Sequence, residues 1–210
     1  MVRGNRTGTN KLTCFYTNAN SVIGKMQELR KRVEGCDIVG IVETWATSKI
    51  SDAELTIDGY GMYRLDRNGN KGGGLVMYIN DRIRSSLCTE MMSGEFAESI
   101  WCNITTDTGK VLIGMCYRCP DSQRENDESL LRLFDAAVKQ KGVAHVMIFS
   151  DFNYPEIDYE RDNVMAGADA SSTKFFNMTQ DLLLMQLVTE ATRMRQGQEP
   201  SVLDYIFTDE

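Results

Sequence analysis

The sequence predicts an α/β protein: two sheets packed face to face, with helices on the outside. Three observations predict it. The first third reads as strand, helix, strand; the middle reads as a meander of apolar runs joined by turns; the last third repeats the helix–strand rhythm. With 210 residues, 42% of them apolar and 25% charged, the chain has ordinary globular composition and enough length for a sizeable core. No linker and no short-period repeat interrupts it, so one domain spanning residues 1–210 is expected.

Each element follows from its pattern. Leu12–Thr17 is a short strand candidate. Val22, Ile23, Met26, Leu29 and Val33 recur at helical spacing, and Gly35 offers a stop. Asp37–Val42 is a continuous apolar run, as expected of a strand buried on both faces. Met62–Leu65 and Leu75–Ile79 flank a polar stretch containing Asn68-Gly69, a strong turn signal. Ser99–Ile104 and Val111–Tyr117 flank a second turn at Asp107-Thr108-Gly109. Leu130, Leu131, Leu133, Phe134, Ala137 and Val138 mark a helix over about Asp127–Gln140, followed by a strand at His145–Phe149. A long polar loop, a helix over about Ser172–Leu184 and a final strand at Val202–Phe207 complete the chain.

Composition also excludes. One histidine, His145, rules out a zinc site with two histidines. At the start of an apolar run it reads as a satisfied strand residue rather than a catalytic base. Net charge is −7: residues 1–105 carry 13 basic and 12 acidic side chains, residues 106–210 carry 10 and 18. That is not the basic footprint of a non-specific DNA binder, but it suits carboxylates gathered around a divalent cation. Six cysteines without an apolar leader read as reduced thiols, and the N-x-S/T triplets at Asn5, Asn103 and Asn177 as chance matches. No apolar run approaches the length of a membrane span, so no membrane partner and an intracellular address are expected.

In α/β sheets, ligands gather where strands end. The polar residues that follow apolar runs are Asn18, Glu43, Tyr117, Asp151 and Asn153, while Asp204 interrupts the last strand. Singly, each reads as a turn former or helix cap. Together, carboxylates, carboxamides and a phenol suit Mg²⁺ chemistry on a phosphate, because Mg²⁺ takes few protein ligands and keeps water and substrate oxygens as the rest.

The ordered set Thr17-Asn18, Val42-Glu43-Thr44, Cys116-Tyr117-Arg118-Cys119-Pro120, Ser150-Asp151-Phe152-Asn153 and Leu203-Asp204-Tyr205 resembles the endonuclease/exonuclease/phosphatase superfamily. Asn18-Ala19-Asn20-Ser21 and Asn70-Lys71-Gly72-Gly73-Gly74-Leu75 resemble the opening and glycine-rich elements of non-LTR retrotransposon endonucleases. The resemblance runs from about Lys11 to Phe207. It implies a DNase I-like four-layer α/β sandwich of two mixed sheets, a Mg²⁺ (or Mn²⁺) cofactor and a DNA substrate, hence a nuclear address. It implies roles too: Glu43 ligating the metal with Asn18 close by, Asp151 orienting or deprotonating water, Asn153 holding that water or the phosphate, and Tyr117 bonding a phosphate oxygen.

One departure qualifies this. The family carries a Ser-Asp-His element beyond Leu-Asp-Tyr, and this sequence reaches Glu210 six residues after Asp204 without one. The expectations are a missing last strand, an Asp204 without its histidine, weak or absent nuclease activity, and an exposed strand edge at Val202–Phe207 open to self-association. Such a chain reads as a fragment of a longer reverse-transcriptase reading frame or a decayed copy. The rivals are a redox or zinc role for Cys116 and Cys119 and a phosphatase or lipid phosphodiesterase. A third is a catalytically dead binding module using Arg64, Arg67, Lys71, Arg82, Arg84, Arg193 and Arg195.

Overall fold

The computed structural model describes residues 11–67, 72–194, 197 and 200–209. Met1–Arg6, the expected turn at Asn68-Gly69, Lys71 and Arg195 lie outside the described residues. The first sheet holds β1 (Cys14–Asn18), β2 (Ile38–Val42), β3 (Tyr60–Leu65) and β4 (Leu75–Asn80), in the order β1-β2-β4-β3. The second holds β5 (Ser85–Leu87), β6 (Ser99–Thr106), β7 (Gly109–Cys116) and β8 (His145–Asp151). After a separate short pair, β9 (Ile157–Asp158) and β10 (Asn163–Val164), it adds β11 (Met185–Gln186) and β12 (Asp204–Thr208). Its order is β11-β12-β8-β7-β6-β5. The helices are α1 (Met26–Arg32), α2 (Asp52–Leu55), α3 (Thr89–Met92), α4 (Arg124–Val138) and α5 (Ser171–Asp181).

Alternation along the strands builds the layers. Ile38, Val42, Leu75, Met77 and Ile79 of the first sheet meet Ile100, Ile104, Ile113, Met115 and Phe149 of the second in a central core. The other face of the first sheet, through Val39, Ile41, Val76 and Tyr78, packs on Met26 and Leu29 of α1. The other face of the second sheet packs on α4 and α5, where the Phe134 ring centroid lies 5.3 Å from Phe175 and 5.8 Å from Phe207. The expected four-layer sandwich of mixed sheets is therefore what forms. All five residues of β2 are buried, which is why its sequence shows no polar alternation. Where the sheets press closest, a Cβ on Gly40 would lie 2.2 Å from the Phe149 ring, so only glycine fits.

Two parallel pairs position the site. β1 runs parallel to β2, with Asn18 opposite Val42, and β7 parallel to β8, with Met115 opposite Phe149. Parallel neighbours need a crossover, supplied by α1 in one case and α4 in the other. The ends of both pairs meet at one rim, where Asn18 bonds to Asp151 across the sheets.

One expectation needs correcting. Val202–Phe207 is not an open edge for self-association: β12 lies inside the sheet, between β8 and β11. Gln186 and Met185 pair with Phe207 and Thr208, and the Thr192 hydroxyl accepts the backbone N–H groups of Leu203 and Asp204. The covering strand is only two residues long, too short to leave a periodic signal. The last helix also stops at Asp181 rather than Leu184, since Leu183 turns left-handed at φ 56°.

Candidate active site

Glu43 follows β2 directly. It and Trp45 sit in the left-handed region, at φ 53° and 55°, with Thr44 between them fully buried. This double bend folds the Trp45 ring back over the carboxylate. Glu43 Oε2 accepts the indole Nε1–H at 2.6 Å and the Gly73 N–H at 3.0 Å. Burial works against the charged carboxylate, but the Tyr117 hydroxyl, the Gly73 N–H, the Trp45 indole and the nearby Arg67 charge outweigh it. Together they hold the Glu43 carboxyl below its ordinary range. A Cβ on Gly73, itself at φ 70°, would lie 2.3 Å from Nε of Arg67, whose guanidinium is paired with Glu98.

Asp151 ends β8 and is buried. Its Oδ2 accepts Asn18 Nδ2 at 3.1 Å and its Oδ1 accepts the Asn153 N–H at 3.1 Å. Opposite it on β12 stands Asp204. The Asp204 N–H points outward to Thr192 and the Asp151 carbonyl points the other way, to the Arg118 N–H. The two therefore form a non-hydrogen-bonded pair, the kind whose side chains approach most closely. Burial first, and the Asp204 charge second, push the Asp151 carboxyl up to about 6. Burial also raises Asp204, against the neighbouring Thr192 and Tyr16 hydroxyls. Asp204 Oδ1 and the Tyr16 hydroxyl, neighbours of one another, are both buried without a regular hydrogen bond among the described residues.

Tyr117 joins the two halves. Its phenol is pushed far above the ordinary range by burial and by its bond to Glu43, and it feels the Asp151 charge as well. Asn153, left-handed at φ 51°, donates Nδ2–H to the Arg118 carbonyl at 2.9 Å, leaving its Oδ1 as the group for a ligand. Arg118 is itself buried. It makes a two-pronged pair with Asp127 of α4 at 2.7 and 2.9 Å, donates to the Phe152 and Asn153 carbonyls, and lies 4.1 Å from the Tyr154 ring centre.

The six residues expected from sequence thus meet at one rim, in two linked groups: Glu43 with Tyr117, and Asn18 with Asp151, Asn153 and Asp204. Asn18 bonds the Asp151 carboxylate. Sequence reading missed Trp45, Arg118 and Thr192, whose parts depend on backbone bends and on contacts distant in sequence. His145 lies at the opposite end of β8, with Nδ1 3.8 Å from Asp209. The Cys116 and Cys119 side chains pack into different cores, on opposite sides of the second sheet, so they do not converge as a redox or zinc pair. Arg82 is paired with Asp37 and Arg64 with Asp52 and Asp66.

The donor chemistry fits a hard divalent cation. Every candidate ligand is an oxygen: a carboxylate kept ionised at Glu43, a buried oxygen on Asp204 without a regular hydrogen bond, and carboxamides. No group of three or more His, Cys, Asp or Glu side chains arranged to hold a metal occurs among the described residues. Mg²⁺, which keeps several waters, needs no such cage.

Two face-to-face mixed sheets with an acidic, carboxamide-lined rim define a DNase I-like fold, and comparison with known proteins agrees. A family model described as "Endonuclease-reverse transcriptase" matches residues 111–210. The endonuclease domain of TRAS1, a telomere-specific non-LTR retrotransposon, superposes with a TM-score of 0.67 at 13% identity, covering 93% of this chain and 83% of that one. An AP endonuclease from Leishmania major gives 0.67 at 16% identity, over 99% and 84%. A Neisseria 3′ phosphatase bound to a product DNA hairpin gives 0.61 at 13% identity, over 94% and 86%. No curated protein sequence matches. The family match covers the C-terminal part of the chain, and the structural matches show the fold over nearly its whole length. Among the described residues no helix is long and apolar enough to cross a membrane.

Proposed function

We propose that the chain is a Mg²⁺-dependent phosphodiesterase that nicks DNA, the endonuclease part of a retrotransposon-type, reverse-transcriptase-associated protein. The observation that carries this reading is the division between two carboxylates at one rim. Glu43 is held ionised by four favourable neighbours, while Asp151 is pushed up to about 6. Environments that drive two acids apart separate their roles.

Glu43 would hold the cation, with Asn18 at the same rim binding the metal or fixing the Asp151 carboxylate. When bound, Mg²⁺ (or Mn²⁺) supplies charge that offsets the negative charge gathering on the phosphate and leaving oxygen. Asp151 takes a proton from the attacking water, its poise near neutrality suiting a general base. Asn18 Nδ2 and the Asn153 N–H fix both of its oxygens. Asn153 Oδ1 accepts from the water, and the Tyr117 hydroxyl, kept protonated by burial and Glu43, donates to a phosphate oxygen.

This chain brings no histidine to the rim. A positioned acid–base group contributes about 10²–10⁴-fold, or roughly 3–5 kcal/mol of barrier, so slow turnover is expected of the 210 residues assayed alone. The shared central core supports reading the chain as one domain, and a nuclear location follows from the DNA substrate. A second reading is a binding module on the same fold, without catalysis. The Neisseria neighbour favours a third, removal of a terminal phosphate.

The test offers supercoiled plasmid, a 3′-phosphorylated oligonucleotide and a lipid phosphodiester in parallel, each with Mg²⁺. Nicking alone supports the proposal. Phosphate release or lipid cleavage without nicking transfers the site to that substrate, and DNA binding with no product in any arm selects the binding module.

A further inference from the structure

Arg67 is set apart from the other arginines of its half of the chain. Arg64 is tied to Asp52 and Asp66, and Arg82 to Asp37 at the far end of the first sheet. Arg67 instead stands beside Glu43, whose carboxylate feels its charge. Its Nε donates to Glu98 Oε1 at 3.0 Å, and its Nη2 donates to Glu98 Oε2 and to Cys119 Sγ. Those bonds fix the guanidinium plane against Gly73 and use one edge of the fork. Among the described residues no hydrogen bond engages Nη1.

Among the described residues, Gly72 is the residue that lies before Nη1. A Cβ there would lie 3.4 Å from Glu43 Oε2, 3.8 Å from Trp45 Nε1 and 4.0 Å from Arg67 Nη1. Among the described residues, three polar groups of the rim thus stand around one small hollow, at contact distance from where a Cβ on residue 72 would lie. Arg67 is only partly exposed, so an anion entering the hollow meets a guanidinium whose orientation is already set. Held rigid on one edge and bare on the other, it offers two N–H groups to one further acceptor.

We infer that Arg67 is a substrate-contacting residue: its Nη1 binds a phosphate oxygen of the nucleic-acid strand in the hollow over Gly72, beside Glu43, and Glu98 is the residue that orients it. This rests on the DNA reading above. It assigns phosphate contact to Arg67, which follows β3, with Glu98 as its support, and not to Arg64 or Arg82. The glycine run then has two tasks, letting Arg67 lie on residue 73 and leaving room for the phosphate at residue 72.

The test is equilibrium binding of a fluorescently labelled DNA duplex, by anisotropy, with Ca²⁺ in place of Mg²⁺ and over a range of salt. The informative variant is Arg67→Met with Glu98→Gln, which keeps the net charge and leaves no half-buried carboxylate unpaired. Arg84→Ala is the charge control, since Arg84 precedes β5 at the opposite rim. The expected result is about tenfold weaker binding by the double variant, with a salt slope shallower by about one, and near-normal binding by Arg84→Ala. Wild-type affinity and slope in the double variant overturn the inference while leaving the DNA reading intact. A wild-type chain that does not bind the duplex overturns both. Single Arg67→Lys, which keeps charge without the fork, should recover the slope but not the full affinity.

Discussion

Replacing Asp151 with asparagine should stabilise the protein at neutral pH while removing its activity. The folded carboxyl stands at about 6, against an ordinary value of 3.8 in the unfolded chain. Between those values the folded state binds the proton more tightly, so stability falls as pH rises through the window from about 4 to 6 and stays low above it. A difference of about 2.2 units corresponds to about 3 kcal/mol. Asparagine removes that penalty, but it offers one acceptor where Asp151 uses two, for Asn18 and the Asn153 N–H, and losing one bond costs about 1 kcal/mol. The net expectation is a gain of about 2 kcal/mol at pH 8, a rise in Tm of about 4–8 °C for a chain of this size. Below about pH 4 the gain should vanish and reverse. Urea denaturation of both proteins in EDTA at pH 4, 5, 6, 7 and 8 reads this directly. A stability difference that does not change with pH would refute the reasoning, because it would mean that Asp151 does not carry its burial and the Asp204 charge as a proton affinity.

Other perturbations act through separate parts of the fold. Gly40→Ala should cost about 1–3 kcal/mol in urea denaturation, since its methyl group meets the Phe149 ring between the sheets. Arg118→Ala leaves Asp127 buried without its partner and frees the Asn153 carbonyl; a loss of about 3–5 kcal/mol is expected by thermal or chemical denaturation. Trp45→Phe removes the indole donor to Glu43 while keeping the ring. The Glu43 carboxyl should rise and Mn²⁺ affinity fall by about tenfold in calorimetric titration, an order set by one charge-assisted bond.

Much of the architecture is legible in the sequence for physical reasons. β2 is buried on both faces, so it appears as an unbroken apolar run; α4 buries one stripe, so Leu130, Leu133, Phe134 and Ala137 recur at helical period. Asn18, Glu43, Tyr117, Asp151 and Asn153 are visible because parallel strands deliver whatever follows an apolar run to the same rim. Other parts leave no local mark. The left-handed turns at Glu43 and Trp45 that aim the indole at the carboxylate involve no glycine. The Arg118–Asp127 pair depends on how α4 docks, and Thr192 reaches Asp204 only because a loop folds over β12. The glycine run is plain in composition, but its need shows only once the Arg67–Glu98 pair lies against Gly73. The cover that β11 gives β12 is two residues long, beneath the reach of periodicity.

The central claim is that the rim of Glu43 and Asp151 is a cation-dependent phosphodiester-cleaving centre acting on DNA. Nicking of supercoiled plasmid by the purified chain, in Mg²⁺ and in EDTA, with Asp151→Ala purified identically, tests it most directly. The expected result is slow conversion to the open circle in Mg²⁺, absent in EDTA and absent in the Asp151→Ala protein. Conversion that is the same for wild type and Asp151→Ala at every protein concentration, or that persists in EDTA, contradicts it.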